Sequence, residues 1–215
     1  MRASSGVWLN LCLILVSVSR LAFGQPSGGA AQAPAATDSA PTTGVRAEAT
    51  RLMEDAEMKL TKLAEAIPAE KYKWSPNKDT RSVSEVFLHV AGGNFAIPRR
   101  LGTEPPADFA QQGFDKSTTD KTKVIDMLKR SFVHAKQAVA KLTDADLEKT
   151  ADWIGGRKAT YREIILVLAA HQHEHLGQSI AYARMNGITP PWTEERQHKA
   201  EPKPKTEKQQ PKSKT

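Results

Sequence analysis

Apolar residues recur through the middle of the chain with a helical period, in four blocks separated by turn residues. Between Val45 and Ile67, residues Ala49, Leu52, Met53, Ala56, Leu60, Leu63 and Ile67 share one side of a helix, and Pro68 ends it. Ser82 followed by Glu85 is a capping-box pair that opens a second helix carrying Val83, Val86, Phe87, His89 and Val90, with Gly92, Gly93 and Pro98 leaving its far end open. Prolines and glycines between Leu101 and Phe114 mark a loop. A third helix starts between Ser117 and Asp120 and carries Val124, Leu128, Ser131, Phe132, Ala135, Ala138, Val139 and Leu142. Thr160 with Glu163 is a second capping box and opens a fourth helix that runs to Asn186 and Gly187, where Pro190 and Pro191 prevent continuation. One short piece, Asp152 to Ile154, reads as extended. The pattern predicts an all-α four-helix bundle over residues 45–192, a single domain with one core.

The ends of the chain have a different composition. Val7 to Val18 is an apolar run preceded by Arg2 and followed by small residues up to Gly24, too short to span a bilayer comfortably, and it reads as a secretory signal peptide over residues 1–24. Its rival is an uncleaved anchor, since Arg20 interrupts the end of the run. Residues 25–44 are rich in Ala, Pro, Ser, Gly and Thr and form an expected disordered linker. Residues 193–215 form an expected disordered tail rich in Lys and Pro, most strongly from Lys199 onward. The protein is expected to be exported, periplasmic or secreted.

These ends change the charge picture. The formal net charge is +7, but the tail and the signal segment hold most of it, leaving the folded part nearly neutral. The high isoelectric point is therefore no evidence for specific nucleic-acid binding, and the tail's charge supports at most weak contact with anionic surfaces. The only cysteine, Cys12, lies inside the apolar run. A chain cleaved near Gly24 has no thiol, which excludes disulfides, thiolate nucleophiles and cysteine ligands.

The candidate chemistry lies in His171, Gln172, His173, Glu174 and His175. At about 100° per residue, His171 and His175 stand one above the other at the centre of the fourth helix's apolar stripe, while His173 points to the opposite, wet side. Two imidazoles facing a core need partners: either carbonyls and carboxylates, or a shared divalent metal. His89 of the second helix lies off the centre of its apolar face and could join them at a helix seam. Zinc and nickel both accept imidazole nitrogen, and three protein ligands with one open position is a catalytic arrangement. Glu174 does not make a zincin motif, because Gln172 stands where that motif needs Glu. His134 reads as a boundary histidine and His198 as a solvated one. Trp74, Trp153 and Trp192 read as caps on the core. Glu85 could orient His89 or merely cap its helix, and Gln178 could serve the site or merely pack beside Tyr182.

The order Trp74-Ser75-Pro76, Ser82-Val83-Ser84-Glu85 leading to His89, His171-Gln172-His173-Glu174-His175-Leu176-Gly177-Gln178, then Gly187 and Pro190-Pro191 resembles the DinB/YfiT-like family of four-helix-bundle metalloproteins. The resemblance implies metal ligands at His89, His171 and His175, with His173 at a variable position. It also implies zinc or nickel with water in the open site, and frequently a homodimer. Some members are thiol S-transferases and others resemble maleylpyruvate isomerases, whereas the signal peptide departs from the family's usual cytosolic setting. Two functional classes follow: a metal-dependent hydrolase or transferase of a small-molecule substrate, or a noncatalytic metal-binding or stress-response module. No nucleophile elbow, phosphate loop or cofactor fingerprint points to other chemistry.

Overall fold

Four long helices carry the fold of the computed structural model, which describes residues 44–200: α1 (Gly44–Ala66), α2 (Val83–Ala96), α3 (Lys121–Ala140) and α4 (Tyr161–Met185). The expected signal peptide, the linker up to residue 43 and the tail from residue 201 lie outside the described residues. None of the described helices is long and apolar enough to cross a membrane.

Helices α2, α3 and α4 each begin where the sequence supplies a side-chain partner for the free N–H groups. Ser82 accepts from the backbone of Glu85, whose carboxylate accepts from Ser82 N at 2.7 Å, so the capping box of α2 is complete. Asp120 caps α3. Thr160 accepts from Glu163 N, but the Glu163 carboxylate pairs with Arg157 instead of reaching back, so the expected second box is only half made. Gly92 and Gly93 do not end α2. It runs to Ala96 and tightens into a 3-10 turn, Ile97–Leu101, with Pro98 in its first turn, where the fixed φ of proline is compatible with the helix.

The expected extended piece at Asp152–Ile154 is displaced and has a partner. Strand β1 (Thr150–Asp152) pairs antiparallel with β2 (Lys158–Thr160), and Ile154–Gly156 form the 3-10 turn between them. The expected tail is also shortened from its start, because α5 (Pro191–Ala200) follows Pro190 directly. Pro191 bars continuation of α4, yet its fixed φ suits the first position of a new helix. Trp192 packs on the core and Glu195 meets Lys62 at 2.9 Å, which tie this helix down. Of the predicted α1 stripe, Ala49, Met53, Ala56, Leu60 and Leu63 are buried, whereas Leu52 is 47% exposed.

The direction of the helices follows from which residues meet. Glu57 pairs with Lys136 and Glu65 with Lys129, so α1 and α3 are antiparallel. His89 stacks near His175 and Asn94 bonds Gln172, so α2 and α4 are antiparallel too. Asn94 meets Ser131 and Phe95 packs near His134, so α2 and α3 run the same way. A chain that leaves α2 at one end must return the length of the bundle to start α3 at the other. Residues 102–120 make that crossover, pinned by Phe109 and Phe114 against Phe95.

The core is two apolar clusters stacked along the bundle. One holds Leu60, Leu63, Phe87, Leu128, Phe132 and Leu176; the other holds Met53, Val139, Ile164, Ile165 and Leu168. At the level where they meet, Gln172 Nε2 donates to Asn94 Oδ1 (2.8 Å), Asn94 Nδ2 donates to Ser131 Oγ (3.1 Å), and Ser131 Oγ donates to the Leu128 carbonyl (2.7 Å). Asn94, Ser131 and Gln172 are fully buried. A buried amide is stable only with its partner in place, so this chain of bonds sets the register of α2, α3 and α4 at one height.

Candidate metal centre

The triad occupies that same height, on the outer side of the α2–α4 seam. His171 and His175 are one turn apart on α4 with ring centroids 4.7 Å apart, and the His89 centroid lies 5.1 Å from the first and 4.7 Å from the second. One nitrogen from each ring can be chosen so that all three lie within 4.8 Å of one another, a spacing that could hold a single ion. Gly93 makes room for this. A Cβ there would lie 2.5 Å from His171 Cε1 and 2.9 Å from Nδ1, so only glycine lets the ring rest on the α2 backbone.

Two of the three rings are oriented by outside partners. His89 Nδ1 lies 3.0 Å from Asp115 Oδ2, and Arg81 Nε donates to that oxygen at 3.1 Å. His175 Nδ1 lies 2.8 Å from Gln178 Oε1, while Gln178 Nε2 donates to Tyr182 Oη at 3.0 Å, and the Tyr182 ring meets Trp74 edge-on. A carboxylate and an amide oxygen can only accept, so Nδ1–H donates in both histidines and Nε2 keeps a free lone pair. His171 Nδ1 is buried with no hydrogen-bond partner.

Burial pushes His171 down to about 4, with the neighbouring His175, His89 and Arg81 adding to the shift and Asp115 opposing it. His89 is also lowered, first by burial and then by Arg81, against the pull of Asp115. Both rings are thus neutral near pH 7, the form a metal needs.

The remaining sequence candidates separate. His173 stays out of the group, but it does not face water alone: its Nδ1 lies 2.9 Å from the Ala169 carbonyl and its Nε2 3.6 Å from Asp55 on α1. Helix α4 packs between α1 and α2, so the side opposite the triad is partly covered as well. His134 sits beside Phe95 at the boundary, lowered by burial and by Lys141. The side chain of His198 lies outside the described residues. Trp74, Trp153 and Trp192 pack against the core clusters as expected. Glu85 serves as a cap, and the orienting carboxylate of His89 is Asp115 instead. Nothing in the local sequence marks Asp115, because the crossover brings it from 26 residues away.

The model of the DinB superfamily matches residues 52–179, which span α1 to most of α4 and contain all three histidines. The chain belongs to the DinB superfamily. No curated protein matches it significantly. Among solved structures, a DinB-like protein from Bacillus cereus is 19% identical with a TM-score of 0.56, over 63% of this chain and 89% of that one. A DinB-like protein from Bacillus subtilis, YjoA, is 20% identical with a TM-score of 0.53, over 66% and 93%. YfiT from Bacillus subtilis, described as a probable metal-dependent hydrolase with an unusual four-helix bundle topology, is 14% identical with a TM-score of 0.56, over 67% and 89%. These likenesses confirm the DinB-like four-helix fold.

For this DinB protein the contact from Asp115 to His89 predicts a measurable effect. Asp115→Ala removes the acceptor that fixes the His89 tautomer and leaves Arg81 beside the site without its carboxylate. If the triad holds a metal ion, its affinity is expected to fall about tenfold, within the range typical of such supporting partners. Asp115→Asn, which keeps an acceptor oxygen, should recover most of it. Competition with a chromogenic chelator measures both.

Proposed function

We propose that His89, His171 and His175 bind one divalent metal ion, zinc or nickel, and that the site is the centre of a metal-dependent hydrolase or transferase acting on a small molecule. The observation that carries this reading is the donor set: three mutually adjacent imidazoles, two with Nδ1 already engaged and the third with a buried Nδ1 that has no partner. A core histidine pair kept for packing gives no reason for a third imidazole, from another helix, to bring a nitrogen within 4.8 Å of both. The description of YfiT as a probable metal-dependent hydrolase agrees with this reading.

When bound, a divalent ion held by three protein nitrogens supplies Lewis acidity and an open coordination position. The chain's own residues supply the rest. Asp115 and Gln178 hold two rings in one tautomer, Arg81 holds Asp115, and Gly93 lets the third ring close on α2. The Gln172–Asn94 bond fixes the helix spacing on which the triad depends. A polar cleft of ≈ 590 Å³ adjoins the triad, with Arg81, Glu85, Asp115 and Gln178 on its wall.

Metal content by elemental analysis tests the assignment. Wild type is expected to hold one ion per chain, the single alanine variants of His89, His171 and His175 to lose it, and His173→Ala to retain it. Equal retention in the His171 and His173 variants would overturn the ligand set. A metal-loaded crystal structure with a fourth protein side chain on the ion would defeat the catalytic half and leave a metal-binding module.

A further inference from the structure

Glu85 stands one turn, roughly 5 Å, before His89 on α2, and Gln178 stands about one turn after His175 on α4. The two helices are antiparallel, so both residues fall at one level of the seam, next to the triad. There a cleft of ≈ 590 Å³ opens between the loop before α2, the crossover and α4. This is the size of a small-molecule site, for which about 300–1,000 Å³ is usual. Two residues of its wall touch the triad itself: Asp115 Oδ2 lies 3.0 Å from His89 Nδ1, and Gln178 Oε1 lies 2.8 Å from His175 Nδ1. The His89 side chain is 28% exposed and that of Asp115 32%, so this edge of the triad is open to solvent.

The charges on the wall divide into engaged and free. Arg81 and Asp115 neutralise each other at 3.1 Å. The Glu85 carboxylate accepts from Ser82 N and sits at the positive end of α2. Lys78 and Lys116, from two different segments, have no side-chain partner among the described residues, and against them stands only Asp79. The free charge is therefore positive, and a divalent ion on three neutral imidazoles would add to it. The two ammonium groups also indicate which anion fits. A carboxylate is matched best by the fork of a guanidinium, but Arg81 is engaged with Asp115. Separate lysines are point charges with rotatable donors, which suit the spread charge and three acceptor oxygens of a phosphate.

We propose that this cleft binds a small polar phosphate ester, its phosphate on Lys78 and Lys116 and its body along Asp115 and Gln178, as the substrate of the adjoining metal centre. The substrate role rests on the metal-site reading above; the binding itself does not.

The test uses the full chain, zinc-loaded and chelated side by side, with glycerol 1-phosphate as probe and glycerol as its neutral counterpart, titrated by amide chemical shifts. Both forms are expected to prefer the phosphate by about tenfold, with shifts concentrated at residues 78–81, 115–116 and 178. Lys78→Gln and Lys116→Gln should each weaken phosphate binding about fivefold. Lys141→Gln, which removes a lysine charge at the C-terminal end of α3, away from the cleft, should leave it unchanged. Absence of phosphate binding, shifts located elsewhere, an equal loss in Lys141→Gln, or binding that needs zinc and survives both lysine substitutions would each overturn the proposal. Zinc content is measured on the same samples. A chain that takes up no zinc, yet binds the probe through Lys78 and Lys116, defeats the metal reading and supports the cleft.

Discussion

Gly93→Ala is expected to lose its metal and keep its fold. The added Cβ would sit 2.5 Å from His171 Cε1, inside any tolerable contact, so the ring must swing away from α2 and from the other two imidazoles. The backbone offers no relief, because the Gln172–Asn94 bond one residue along holds the two helices together. Stability should move the other way or hardly at all, since alanine is favoured over glycine in a helix interior by about 1 kcal/mol. Metal affinity should drop about a hundredfold or more, because a ligand is displaced, whereas loss of a supporting partner costs about 10–100-fold. Gly177→Ala is the control: it lies two residues past His175 on the same helix as two of the ligands, and a Cβ there meets nothing within 4 Å. Chelator competition and thermal unfolding of metal-free protein measure the two effects. Unchanged metal affinity in Gly93→Ala would mean that the ring has somewhere else to go and that the triad does not depend on this contact.

What could be read in the sequence and what could not divide along the range of the interaction. Helix positions follow from apolar period and capping residues, both local, and the structure places the four long helices where Pro68, Ser82, Asp120 and Thr160 mark their limits. His171 and His175 share a face because of helical geometry alone. Gly93 looks like a helix breaker in sequence, and its use as a seat for His171 is visible only once α4 lies against α2. Asp115 and Arg81 meet His89 only because the crossover must run back along the bundle. Gln172 and Asn94 look like ordinary polar residues until the two apolar clusters are seen to meet at their level. Residues 193–200 have the composition of a tail but follow Pro190-Pro191, which suits a helix start, and the docking of Trp192 on the core favours the helix.

The metal-free protein is expected to lose stability as pH falls from about 6.5 to about 4, before the carboxylates titrate. In the unfolded chain His171 takes up a proton near its ordinary value of 6.5; in the folded chain burial holds it down to about 4. Between those values the unfolded state binds the extra proton, so acid favours unfolding. This contribution is intact above pH 6.5, falls through the window, and below it stays lost. A shift of that size corresponds to about 3 kcal/mol, a large share of the roughly 5–15 kcal/mol that stabilises a domain. His89 and His134, lowered mainly by burial, act in the same direction. Asp108 and Glu163 are lowered by arginine partners and weaken the fold only as pH drops below the ordinary carboxylate range. Denaturant unfolding of chelated protein at a series of pH values measures the effect, and His171→Gln, which cannot titrate, should flatten most of the slope between pH 6.5 and 4.5. A slope unchanged in that variant would show that His171 is not held neutral by its surroundings. With metal bound the fall should be steeper, because protons and the ion compete for the same three nitrogens.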